Sequence, residues 1–219
     1  MVNWVCLMNA AEGCEMKTTI YRTTLAMLPL VILAACGHPR TTNDIDTRPR
    51  DETTFAPAGY PIELQYADSL RPVDDPSAGY FDSGSWQVAD GAPGKRLITL
   101  SLAGSNEITT GLWRLGASRN PAAVDDCLLP PPDAQAMSST ITVGGQPFHG
   151  FTLSDAGMSH FQRIEGYRAV VDGVCYAIDL IVQGTNGEVY DPPREAPYSR
   201  DEAMALLRAI SDGVSLTSD

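Results

Sequence analysis

Arg96 to Leu102 has the clearest alternation of apolar and polar positions in the chain. Leu97, Thr99 and Ser101 fall on one side and Ile98, Leu100 and Leu102 on the other, the two-residue period of a strand. Comparable runs, each bounded by Gly, Pro, Asp or Asn, predict strands over Ile62 to Tyr66, Tyr80 to Val88, Thr109 to Leu115, Ser139 to Val143 and Phe148 to Leu153. Asp172-Gly173, between Tyr167 to Val171 and Val174 to Val182, predicts a hairpin closed by a type I′ turn. In that register Val171 faces Val174, Ala169 faces Tyr176 and Tyr167 faces Ile178, while Leu180 and Val182 extend the same apolar face. The opposite face, with Val170, Cys175 and Ile181, is too apolar for open water and predicts a covering layer. Asn120 to Pro132, with Cys127 in its middle, is the candidate cover.

A helix is predicted near the C-terminus. Ser199-Arg200-Asp201-Glu202 matches a capping box, and Asp201 and Glu202 suit the positive end of the helix dipole. Ala203, Leu206, Leu207 and Ile210 form an apolar stripe, and Gly213 is expected to close the helix. The implied class is α+β: a twisted antiparallel sheet with the C-terminal helix on one face and the Cys127 segment on the other. Residues 60–219 then form one domain without internal repeats. Residues 36–59 are rich in Thr, Asp, Arg and Pro, with Ile45 and Phe55 as the large apolar residues, and read as a flexible tether. Its random-coil reach is roughly 25 Å. The meandering sheet, a hairpin with a tyrosine in each strand and the terminal helix resemble, in element order only, the Mog1/PsbP-like α+β domains. That resemblance concerns architecture and implies no activity.

The N-terminal part has a different pattern. From Met16, Lys17 and Arg22 precede an apolar stretch from Leu25 to Leu33 and then Ala34-Ala35-Cys36, the tripartite layout of a secretory leader over residues 16–35. The stretch is far shorter than the roughly 20 apolar residues of a membrane span. Residues 1–15 fit no part of such a leader and place Glu12 and Glu15 where positive charge is expected, so they read as an extension ahead of a start at Met16. Leu33-Ala34-Ala35-Cys36 resembles the lipobox of bacterial lipoproteins. The resemblance implies cleavage before Cys36, acylation of its sulfur and amino group, and anchoring in the lipid bilayer, because two or more acyl chains hold stably where one does not. Gly37, rather than aspartate, after the cysteine implies the outer membrane with the domain in the periplasm if the source is Gram-negative. In a Gram-positive source it implies the outer face of the cell membrane.

With the leader and the acylated Cys36 set aside, Cys127 and Cys175 remain, and two thiols in an oxidising compartment predict one disulfide. Net charge is −12, and residues 1–35 carry Lys17 and Arg22 against Glu12 and Glu15, so the mature chain keeps that charge. Such a surface repels nucleic acid and anionic head groups.

No residue set presents convincing catalytic chemistry. Ser154, Asp155, Ser159 and His160 lie close together, but the G-x-S-x-G elbow that would expose a serine is absent, and Leu153 to His160 reads as a polar loop. His149 and His160 have no metal-binding spacing. Asp74-Asp75 and Asp125-Asp126 are adjacent pairs whose side chains diverge on regular structure, with Asp125 or Asp126 suited to capping turns. Gly144-Gly145 and Gly184 to Gly187 read as hairpin turns, so no phosphate loop, cofactor or metal is implied. The stiff loop Gly184 to Pro197, with Tyr190 and Tyr198, reads first as a rigid connector laid over the sheet and, as the alternative, as part of a partner-binding patch together with Trp113. The functional expectation is a non-catalytic binding or assembly-support lipoprotein engaging an envelope protein or a small ligand. Its rivals are an envelope hydrolase using Ser154 to His160 and, from charge alone, an inhibitor of a cationic enzyme.

Overall fold

Chain contacts divide the protein into Met1–Asp46 and Thr47–Asp219. The computed structural model describes residues 51–73, 87–89 and 92–217, all in the second unit. The leader, Cys36, His38, the tether up to residue 50, Asp74-Asp75 and most of the Tyr80 to Val88 strand lie outside the described residues.

The elements, in order, are β1 (Glu52–Phe55), β2 (Ile62–Ala67), β3 (Arg71–Pro72), β4 (Gln87–Ala89), β5 (Ala92–Pro93), β6 (Lys95–Ser101), β7 (Thr110–Ser118), α1 (Pro121–Asp125), β8 (Gln135–Val143), β9 (Gln146–Gly157), β10 (His160–Val171), β11 (Val174–Thr185), α2 (Arg200–Ile210) and β12 (Val214–Leu216). The main antiparallel sheet runs β3-β6-β7-β11-β10-β9-β8, beside a three-stranded sheet β1-β2-β12 and a small β4-β5 pair. The class is α+β, as the pattern of the sequence implied.

Three of the turns joining β8 to β11 place two residues at positive φ, a backbone geometry that matches the twist of the strands they join. They are Gly144-Gly145, Met158-Ser159 and Asp172-Gly173. The last sets the expected register, with Val171 opposite Val174, Ala169 opposite Tyr176 and Tyr167 opposite Ile178. The second corrects the polar-loop reading of Leu153 to His160: β9 continues to Gly157 and β10 starts at His160. A turn built from Met and Ser carries no Gly or Asn signal. Likewise Gly184 lies within β11, and Gly187 begins a single 3-10 turn rather than a hairpin.

The core lies on one face of the main sheet. There Leu100, Trp113, Leu115, Phe148, Tyr176, Ile178 and Leu180 pack against Leu64 of β2, Val214 of β12 and Ala203, Met204 and Leu207 of α2. Ser199 caps α2 by accepting from the Glu202 amide at 3.1 Å. The buried stripe differs from the expected one, because Met204 faces inward while Leu206 is exposed. Gly213 does not end α2 in a left-handed turn. It sits in a following 3-10 turn, where a Cβ would stand 2.1 Å from the Gln65 carbonyl oxygen.

On the opposite face, Cys127 and Cys175 form a disulfide with Cα atoms 5.7 Å apart, packed with Ala123 and Ala177. Asn120 starts α1 by accepting from the Ala122 amide at 3.0 Å, and Cys127 follows the helix. The predicted covering segment is therefore in place, although Val170 remains exposed. The domain also reaches further back than residue 60. Residues 52–55, read as tether, pair with β2, and Phe55 packs on the core as one apolar residue in a polar run.

Candidate functional site

Trp113 does not belong to any surface patch. β7 is apolar on both sides, and its pairing puts Trp113 opposite Leu180 on the core face, with 0% exposure. Its indole N–H donates to Ser211 Oγ at 3.0 Å, which ties β7 to the end of α2. Tyr190 and Tyr198 are partly exposed and lie along the loop leading from β11 to α2.

That loop borders a cleft of about 570 Å³ lined in part by Ile108, Phe161, Glu188, Arg194, Tyr198 and Arg200. Asn186 shapes its start by accepting from the Glu188 amide at 3.1 Å, and its own N–H donates to the Ser159 carbonyl at 2.8 Å. The Arg194 amide donates to the Gly187 carbonyl at 3.1 Å. A Cβ on Gly187 would stand 1.9 Å from the Arg194 oxygen, so the two backbone stretches touch in a way that only glycine allows. Tyr198 Oη lies 2.5 Å from Ser105 Oγ, and both accept from the Gly111 amide at 3.2 Å. These contacts fasten the far end of the loop to the turn before β7.

Two guanidinium groups lie over aromatic rings here. Arg200 stands 3.6 Å from the Phe161 ring centre and Arg194 4.2 Å from that of Tyr190. Arg194 also pairs with Glu107. Backbone hydrogen bonding and then that guanidinium hold the Glu107 carboxyl below its ordinary pKa. Several hydroxyls around the cleft have structural partners: Ser199 caps α2, Ser105 meets Tyr198, and Thr185 Oγ1 lies 3.0 Å from His160 Nδ1. The surface therefore offers charged groups of both signs, Arg194 and Arg200 with Glu188 and Glu195, beside aromatic rings for recognition.

The Ser154 to His160 set does not assemble as a triad requires. Ser154 and Asp155 are consecutive in β9 and project to opposite faces, while Ser159 occupies the turn. Asp155 Oδ1 accepts from the Ala156 amide at 2.8 Å. No group of three or more His, Cys, Asp or Glu is placed to hold a metal among the described residues.

Sequence reading missed two buried charge clusters. Glu165 is 1% exposed on the core face. It accepts from Arg208 Nη2 at 2.6 Å and Nε at 2.8 Å, from Arg163 at 3.1 Å and from the Tyr167 hydroxyl at 3.3 Å. Burial, reinforced by the Glu165 charge, raises the Tyr167 pKa, whereas the Glu165 hydrogen bond raises that of Arg208. Beside the cluster is a cavity of about 150 Å³ lined by Ile141, Val143, Tyr167, Leu180 and Arg208 among others. On the other face, Asp179 accepts from Arg168 at 2.8 Å and from Arg114 at 3.1 Å, and Arg168 lies over Phe151. Extending the predicted strand from Tyr167 back to His160 reveals Glu165 at an inward position, which was the available signal.

No protein-family model and no curated protein matches the chain. Among solved structures it is similar to LpqN, involved in cell envelope biogenesis of Mycobacterium tuberculosis, with 15% identity and a TM-score of 0.39, covering 77% of this chain and 92% of that one. It is also similar to the cyanobacterial PsbP of Synechocystis sp. PCC 6803, with 11% identity and a TM-score of 0.41, covering 84% and 99%. Neither likeness bears on function.

Proposed function

We propose that this chain is an envelope lipoprotein, anchored through acylated Cys36, whose domain is a non-catalytic binding module. The observation that carries the reading is the buried Cys127–Cys175 disulfide. Such bonds persist in oxidising compartments and are rare in the cytosol, which agrees with a leader ending in Leu33-Ala34-Ala35-Cys36. Gly37 favours the outer membrane, with the domain in the periplasm, in a Gram-negative source. The cleft beside Tyr190, Arg194, Tyr198 and Arg200 is the proposed contact surface for an envelope protein or small ligand. No helix among the described residues is long and apolar enough to cross a membrane.

Labelling cells with radioactive palmitate and separating their membranes tests the anchor. The unmodified chain is expected to carry label in the membrane fraction, and Cys36→Ala to lose both label and membrane association. Unchanged mass and detergent partitioning of the variant overturn it. For the contact surface, Tyr190→Ala with Arg200→Ala is expected to abolish cross-links to envelope partners while leaving the anchor intact. An unaltered cross-linking pattern removes the cleft from the reading.

A further inference from the structure

The outer strand β8 has an unusual composition for an exposed sheet edge. Among the described residues it forms the end of the main sheet, and its nine residues, QAMSSTITV, include no charged residue and no proline. Native sheets commonly guard such edges with charges, proline or a bulge, because unpaired N–H and C=O groups invite another strand. β8 has a register irregularity between Ala136 and Thr140 but is regular from Thr140 to Val143.

Turn geometry identifies the backbone groups that face outward. Gly144-Gly145 is a two-residue turn, so Val143 and Gln146 form its hydrogen-bonded closing pair, as do Ile141 and Phe148 two positions on. Thr140 and Thr142 consequently direct their N–H and C=O groups away from β9. Pro147, which has no N–H, stands opposite Thr142, as this pattern requires. Both threonines are exposed.

We infer that β8 pairs with β8 of a second copy of this chain, antiparallel, about a two-fold axis at Ile141. Thr140 then pairs with Thr142 of the second copy and Thr142 with Thr140, giving four backbone hydrogen bonds and two threonine contacts. Ile141 meets its own counterpart beside the small cavity that it lines. Among the strips where two copies could meet, an uncharged one opposes self-association least. Two copies of a chain with net charge −12 repel each other, and β8 adds no like charge where they meet. An isologous contact also closes on itself and does not propagate into a fibre. One strand edge is far smaller than the roughly 800 Å² per partner of a stable interface, so the pairing is weak and dynamic.

Disulfide trapping in the full chain suits a weak contact. In the proposed register Ile141 and its counterpart form a non-hydrogen-bonded pair, with Cα atoms about 4.5 Å apart, so Ile141→Cys places two thiols in position to bond. Under mild oxidation this variant is expected to give covalent dimer about tenfold faster than Leu206→Cys, an exposed control on α2, because pairing raises the local thiol concentration. Adding Thr140→Glu and Thr142→Glu sets carboxylates opposite one another and is expected to return the rate to that of the control. Thr142→Pro, which removes only an outward N–H, is expected to do the same with the fold intact. An Ile141→Cys rate equal to the control, or one that survives the glutamate pair and the proline, overturns the inference.

Discussion

Removal of the Cys127–Cys175 disulfide tests whether the cover over the second sheet face depends on one covalent link. The cysteines are 48 residues apart. On the chain-entropy model a loop of that length stabilises the fold by about 4 kcal/mol. The native contacts around it are modest: the cystine packs with Ala123 and Ala177, and α1 has only five residues. A helix so short does not persist alone. Cys127→Ala with Cys175→Ala should therefore lose about 4 kcal/mol, most of it through a freer unfolded chain. In thermal terms this is a drop of about 8–16 °C for a domain of this size. Urea unfolding followed by tryptophan fluorescence is a suitable assay, since Trp113 is buried in the core. The variant should also show a steeper denaturant dependence, because its unfolded state exposes more surface. A difference below about 1 kcal/mol would refute the loop-entropy reasoning. So would hydrogen exchange showing that α1 alone opens while the rest of the domain keeps its protection.

Glu165→Ala should destabilise the domain by about 2–3 kcal/mol in the same assay. Arg163 and Arg208 can turn to water, but the buried Tyr167 hydroxyl loses its carboxylate acceptor. Replacing Met158-Ser159 with Asn-Gly should raise stability by about 1 kcal/mol, since both positions hold positive φ. Thermal unfolding decides it, and a loss of stability would mean the turn is not strained. Glu107 should titrate below the ordinary carboxylate range in a carbon-13 NMR titration, and Arg194→Ala should raise its pKa. Because the folded-state pKa is the depressed one, its stabilising effect is present above the unfolded pKa and is lost as pH falls through the folded value. An unchanged Glu107 pKa in the variant would disprove that pairing.

Contacts between near neighbours were legible in the amino-acid order. Asp172-Gly173 specified its turn and thereby the register of the longest hairpin, and Ser199 announced the start of α2. The two cysteines left after the leader predicted their own bond. Each of these depends on a few adjacent residues or on simple pairing. Beyond the hairpin, whose apolar face was legible, the tertiary structure alone decided which side of an apolar element turns inward. Trp113 went to the core, Met204 displaced Leu206 from the buried stripe of α2, and Glu165 was enclosed by two arginines from different elements. The cleft likewise joins Phe161 on β10 to Arg200, 39 positions along the chain, at the start of α2. A local period shows that a strand or helix has two sides, but the side that loses water is set by whichever distant segments pack against it.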